Sequence, residues 1–134
     1  MQYSAHQLVL FPVATADAPV MAPLEPCLQT LGLLGEPLEA GRFAVGEAFL
    51  TLVCFLGCSP DIETMPQADK PFCYIQLPCS AALVDFQLIR KPPVQVREWV
   101  IIGNIHEAEA VPDAAVLNAL EAVSGRRWKY AYRR

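Results

Sequence analysis

The sequence predicts an α+β fold: a small single domain in which a mainly antiparallel β-sheet of four to six strands has two helices packed on one face. Short apolar segments that end in turn residues outnumber helical segments, and 12 prolines interrupt the 134 residues. The connections between the later segments are too short for parallel crossovers, which favours antiparallel neighbours. A chain of this length can bury enough surface to fold as one domain without a disulfide or a metal.

The first two predicted elements are a strand and a helix. Residues 4–13, "SAHQLVLFPV", are mostly apolar and stop near Pro12, as expected of a strand. Residues 23–35, "PLEPCLQTLGLLG", have apolar side chains at steps of three and four, which predicts a helix with Gly35 as a possible C-terminal cap. The residues of this stripe are Leu24, Cys27, Leu28 and Leu31.

Residues 47–57, "EAFLTLVCFLG", are apolar on both alternating faces. A strand that is covered on both sides has this pattern, so we expect the segment at the centre of the sheet. A buried helix is the alternative, because periodicity alone does not distinguish the two in a short apolar run.

The second half of the chain predicts three more strands and one more helix. The strands are expected within residues 72–78, 82–89 and 94–102, which prolines and a Gly-Asn pair interrupt or end. Residues 112–125, "PDAAVLNALEAVSG", predict the clearest helix, with Pro and Asp in its first turn and Gly125 at its end. Its expected buried residues are Val116, Leu120 and Val123.

Charge is distributed unevenly along the chain. The net charge is −4, but residues 1–125 contain all fourteen acidic residues and only five of the ten Lys and Arg, which gives −9. Residues 126–134, "RRWKYAYRR", contain the other five cations and no acid. We therefore divide the chain into a single α+β domain (1–125) and a basic, aromatic C-terminal tail or edge strand (126–134).

The tail is the predicted partner-binding segment. On a strand its aromatic and cationic side chains would alternate, and Tyr, Trp and Arg are enriched in binding hot spots. Single-stranded nucleic acid is disfavoured, because the acidic domain would repel a polyanion. Two structural alternatives remain: the basic side lies against the acidic domain, or the aromatic side packs as an edge strand. The predicted binding residues are Arg126, Arg127, Trp128, Lys129, Tyr130, Tyr132 and Arg133.

Four of the five cysteines form two spaced pairs, Cys54 with Cys58 and Cys73 with Cys79. They are weak candidates for a metal site, since neither spacing matches the tight pairs of structural zinc sites. On an extended strand the first pair would lie about 13 Å apart. The simpler interpretation is that Cys54 and Cys73 are core residues.

Cys58 is also a weak candidate for a catalytic thiol. It follows a predicted strand and precedes a Ser-Pro turn, where a helical turn would lower a thiol pKa. A thiol nucleophile needs a base, and the sequence offers only His6 and His106, neither of them in a local signature. A thiol-dependent enzyme or metal protein centred on Cys58 is therefore the alternative hypothesis.

The leading hypothesis is a non-catalytic cytoplasmic interaction or accessory protein that binds a protein partner or self-associates, without a cofactor. The composition favours it, since 54% of residues are hydrophobic and only 18% are charged, against a usual value of about 25%. Such a chain has few charges to cover its surface, which favours a buried contact with a partner. We expect no signal peptide, because the first residues lack a positively charged leader and their apolar run, residues 8–13, is short and broken by Pro12. We expect no membrane span, because the longest apolar segment contains Glu47 and two glycines and is too short.

Overall fold

A computed structural model describes residues 2–13, 21–57 and 62–134. No helix in these three ranges is long and apolar enough to cross a bilayer. In chain order, the elements of the described residues are β1 (Gln7–Pro12), α1 (Leu24–Leu31), β2 (Leu34–Pro37), β3 (Arg42–Val45), α2 (Phe49–Leu52), β4 (Val53–Phe55), β5 (Tyr74–Gln76), β6 (Val84–Phe86), β7 (Val94–Val96), β8 (Val100–Gly103), β9 (Ala110–Pro112), α3 (Ala114–Ser124) and β10 (Trp128–Arg133).

Six of the strands form one antiparallel sheet in the order β10-β1-β8-β5-β3-β2. Two further antiparallel pairs, β4 with β9 and β6 with β7, lie outside it. The predicted α+β class with a mainly antiparallel sheet is confirmed. Its centre is formed by β1, β8 and β5, and all four residues of β8 are buried.

The helices cover one face of the sheet. Leu8 and Leu10 of β1 point to this face and share one core with Leu28 of α1 and Leu120 of α3. The predicted stripes of both helices supply the buried residues, because steps of three and four place side chains on one side of a helix. Asp113 caps α3 by accepting a hydrogen bond from the N–H of Ala115 at 2.9 Å.

The opposite face of the sheet is covered by the hairpin of β6 and β7. Val9 and Phe11 of β1 alternate with the helix-facing leucines and pack in a second core with Phe86 and Val96 of the hairpin. The ring of Trp99 meets Phe86 edge-on at 5.6 Å between centroids. The sheet is therefore buried on both faces, by helices on one side and a hairpin on the other.

The expectation of a central strand in residues 47–57 is wrong. The segment forms one helical turn, α2, followed by β4, which pairs with β9 outside the main sheet. The helical turn buries Phe49 and Leu52, three residues apart, and leaves Leu50 61% exposed. The uninterrupted apolar pattern thus came from two consecutive elements, and the alternative of a buried helix holds for the first of them.

Two element ends also differ from the sequence prediction. The helix α1 ends at Gly32, not Gly35, because Gly32 adopts the left-handed conformation (φ 90°) and its N–H bonds to the Gln29 carbonyl at 3.1 Å. The single strand expected in residues 94–102 is two strands, β7 and β8, in different sheets. The buried Glu98 lies between them.

Candidate functional site

The tail forms β10, an edge strand of the main sheet that pairs along its whole length with β1. The sequence left open whether these residues form a tail or an edge strand, and in the structure they form a strand. Its outward backbone groups are partly occupied: the N–H of Trp128 donates to Glu121 at 3.0 Å, and the carbonyl of Tyr132 accepts from Ile89 at 2.8 Å. These bonds protect both ends of the edge from pairing with another strand.

The aromatic side of β10 packs on the helix-covered core. Trp128 is 4% exposed and its indole N–H donates to the Ser124 hydroxyl at 2.8 Å. The Tyr132 hydroxyl donates to the Ala110 carbonyl at 2.6 Å, and burial raises the pKa of that phenol. Tyr130 is half-buried against the same core. Much of the aromatic surface predicted to bind a partner is thus packed against the core of the domain.

Deletion of residues 126–134 is not a clean test of partner binding, because these residues contribute to the fold. Deletion would remove a strand that bonds to β1 along six residue pairs and would uncover the site of the buried Trp128. Only substitutions of exposed side chains can test the tail without affecting the core.

The cations of residues 126–134 divide into anchored and exposed groups. Arg126 lies with its Nη1 3.0 Å from Oε1 of the buried Glu98, although the two atoms are not aligned as a hydrogen bond. The guanidinium of Arg133 lies 5.3 Å from the centroid of the Phe86 ring. These two arginines connect the tail to the turn before β8 and to the hairpin, so their predicted role in binding competes with a structural one.

Three cations of the tail remain exposed: Arg127, Lys129 and Arg134. None of them has an ion pair with a residue in the described ranges. The Lys129 ammonium lies 5.4 Å from the centroid of the buried Phe11 ring, which orients its stem along the sheet. We call these three residues the cationic edge.

A groove lies at the other end of the sheet, beside the edge strand β2. It has a volume of about 640 Å³, and its apolar lining residues include Leu34, Leu38, Val45 and Met65. Its charged lining residues are both acidic, Glu36 and Glu47. We call this surface the acidic groove.

Both carboxylates of the acidic groove are exposed, and neither has an ion pair with a described residue. The sequence pattern did not predict this groove, because Glu36 and Glu47 are brought to one surface by the pairing of β2 with β3.

The cysteine candidates are distributed over the molecule. Cys54 lies on β4 with its Sγ 3.9 Å from Asp113, Cys73 is buried just before β5, and Cys79 is exposed in the loop after it. Cys58, the candidate nucleophile, lies outside the described residues. Within those residues, no three His, Cys, Asp or Glu side chains are arranged to hold a metal ion.

A small polar cavity of about 100 Å³ lies beside Cys73 and is lined also by Glu63, His106 and Glu109. The His106 ring stacks on His6, the other histidine of the chain, at 3.9 Å between centroids. Burial, with smaller contributions from Glu109 and Glu63, raises the pKa of the Cys73 thiol to about 12. Cys73 is therefore a neutral thiol at physiological pH, unlike an activated nucleophile.

Comparison with known proteins does not assign the chain to a family. The sequence matches no family model, and it matches neither a curated protein nor a solved structure. The interpretation of the surface therefore depends on its own chemistry.

Proposed function

We propose that this chain is a non-catalytic cytoplasmic interaction protein whose cationic edge binds an acidic protein partner. The observation that supports this most directly is a set of three exposed cations, with Lys129 on β10 and Arg127 and Arg134 at its two ends. They have no ion pairs to described residues, and the first 125 residues of the chain have a charge of −9. Charge of one sign concentrated on a small surface accelerates encounter with a partner of the opposite sign and selects against others.

The ordering of β10 strengthens this proposal. Its backbone pairs with β1 and its aromatic rings pack against the core. The backbone that presents the cations is therefore already ordered before a partner binds. Binding then costs less conformational entropy than it would for a loose tail.

The same arrangement disfavours single-stranded nucleic acid. Stacking on exposed aromatic faces is a main source of affinity for bases, and Trp128 is buried here while Tyr130 and Tyr132 pack against the core. A long polyanion would also extend beyond the cationic edge over an acidic surface.

The test is a double substitution, Arg127→Gln with Lys129→Gln, measured against a fluorescent polyglutamate peptide by anisotropy. We expect affinity about 5- to 10-fold weaker than for the wild type, since exposed ion pairs contribute modestly. Raising the salt concentration to about 300 mM should weaken wild-type binding, because it screens exposed charges.

Lys70→Gln is the matched control. Lys70 is also exposed, but its ammonium lies 3.4 Å from Glu63 and far from β10 in sequence. Binding by this variant should equal that of the wild type. If the double variant bound polyglutamate as tightly as the control, or if a single-stranded oligonucleotide bound more tightly than the peptide, the proposal would be wrong.

A further inference from the structure

We propose that the acidic partner of the cationic edge is the acidic groove of a second copy of this chain. This inference rests on the proposed function and names its partner. The two surfaces lie at opposite edges of one sheet, since β10 and β2 are its terminal strands. One copy can therefore offer its cationic edge to one neighbour and its groove to another.

The chemistry of the groove fits long cationic side chains. Much of its lining is apolar and its two charged lining residues are carboxylates. A Lys or Arg can therefore lay its aliphatic stem along the apolar lining and direct its charged group to Glu36 or Glu47. The groove presents no described cation that would repel such a side chain. Arg127 and Lys129 are exposed side chains of this kind.

The backbone of both edges indicates how the contact is made. On β2, Pro37 lacks an N–H and the pairing with β3 shifts register between Leu34 and Pro37. On β10, outward groups at both ends are bonded to Glu121 and Ile89. Neither edge is suited to continuous strand pairing, so side chains make the contact and salt weakens it.

Contact between two different surfaces is heterologous: it builds a ring if the rotation closes and an open chain if it does not. This property allows a sharp test. A copy without its cationic edge still offers a groove, and a copy without its groove carboxylates still offers an edge. Mixed together, the two variants can make one contact only and must stop at a dimer.

The experiment is sedimentation velocity with native mass measurement on the full chain at low salt. The edge variant is Arg127→Gln with Lys129→Gln, and the groove variant is Glu36→Gln with Glu47→Gln. We expect wild-type assemblies, monomers for each variant alone, and a one-to-one dimer of twice the 14.7 kDa chain mass for the mixture. The variants should self-associate about 10- to 30-fold more weakly than the wild type.

Asp69→Asn with Asp85→Asn is the matched control for the groove variant. Both aspartates are exposed and neither lines the groove, so this variant should assemble like the wild type. Thermal unfolding of each variant checks that the fold is retained.

Three results would overturn the inference: a monomeric wild type at low salt, assembly of either variant alone at wild-type strength, or a mixture that stays monomeric. Polyglutamate binding distinguishes failure of this inference from failure of the proposed function. If the edge variant loses polyglutamate while the wild type stays monomeric, the cationic edge binds an acidic protein other than this one. If the edge variant binds polyglutamate like the wild type, both proposals fail.

Discussion

Substitution of Gly103 by alanine should disrupt the centre of the sheet, because the Tyr74 ring occupies the space of the missing side chain. Gly103 on β8 pairs with Tyr74 on β5 and with Gln7 on β1. The Tyr74 ring crosses β8 at the glycine, so that its hydroxyl accepts from Gln7 Nε2 at 2.9 Å and donates to the Ser4 carbonyl at 3.2 Å. A Cβ at position 103 would overlap this ring.

The expected cost follows from these contacts. Tyr74 is 1% exposed, so its ring cannot move away from the new methyl group without displacing its neighbours, at about 1–3 kcal/mol. The two hydroxyl hydrogen bonds are strained or lost, at about 1 kcal/mol each. Alanine recovers about 0.5–1 kcal/mol of backbone entropy relative to glycine. The free energy of unfolding of Gly103→Ala should therefore fall by about 2–4 kcal/mol, measured by urea denaturation.

A double-mutant cycle tests the cause. Tyr74→Ala alone should cost about 3–5 kcal/mol, but it removes the ring, so adding Gly103→Ala should then cost almost nothing. Tyr74→Phe keeps the ring and removes only the hydroxyl, so Gly103→Ala should remain costly in that background. The reasoning is refuted if Gly103→Ala changes stability by less than about 0.5 kcal/mol, or if Tyr74→Ala does not suppress its effect.

Two further predictions concern buried groups. Glu98, 1% exposed, accepts from the Ala22 N–H at 2.7 Å and pairs with Arg126, so Glu98→Ala should lower the free energy of unfolding by about 2–4 kcal/mol. A urea curve that matches the wild type would contradict this, and Arg126→Ala completes the cycle. The buried Cys73 keeps its proton in the folded state up to about pH 12, whereas an unfolded thiol releases it near 9, so its contribution to stability falls as pH rises through this window. The wild type should lose stability with pH more steeply than Cys73→Ala in this range, by at most about 1.4 kcal/mol per pH unit, and parallel profiles would exclude the effect.

The candidate surfaces were only partly predictable. The alternation of aromatic and cationic residues in 126–134 was visible in the sequence, and the strand separates them as alternation requires. Which side faces the core could not be derived from the pattern. That choice follows from register: Tyr130 and Tyr132 pair with Leu10 and Leu8, which face the helices.

The sequence by itself determined those elements whose pattern is local and complete. The helix α3 has an N-cap aspartate, a stripe at steps of three and four, and a terminal Gly125, and each of these acts within a few residues. The α+β class followed in the same way, from short apolar segments separated by turns. The strand β1 likewise needed only its own alternation and Pro12.

Tertiary structure decided what depends on distant partners. Residues 49–55 are apolar except for Thr51, so only packing could divide them into a helical turn and a strand paired with β9. Glu98 lies in the bend between β7 and β8, and its partners, Ala22 and Arg126, come from far along the chain. The acidic groove likewise exists only once β2 and β3 pair and the segment around Met65 lies beside them. Contacts between residues distant in sequence leave no periodic signal, so only the folded chain reveals them.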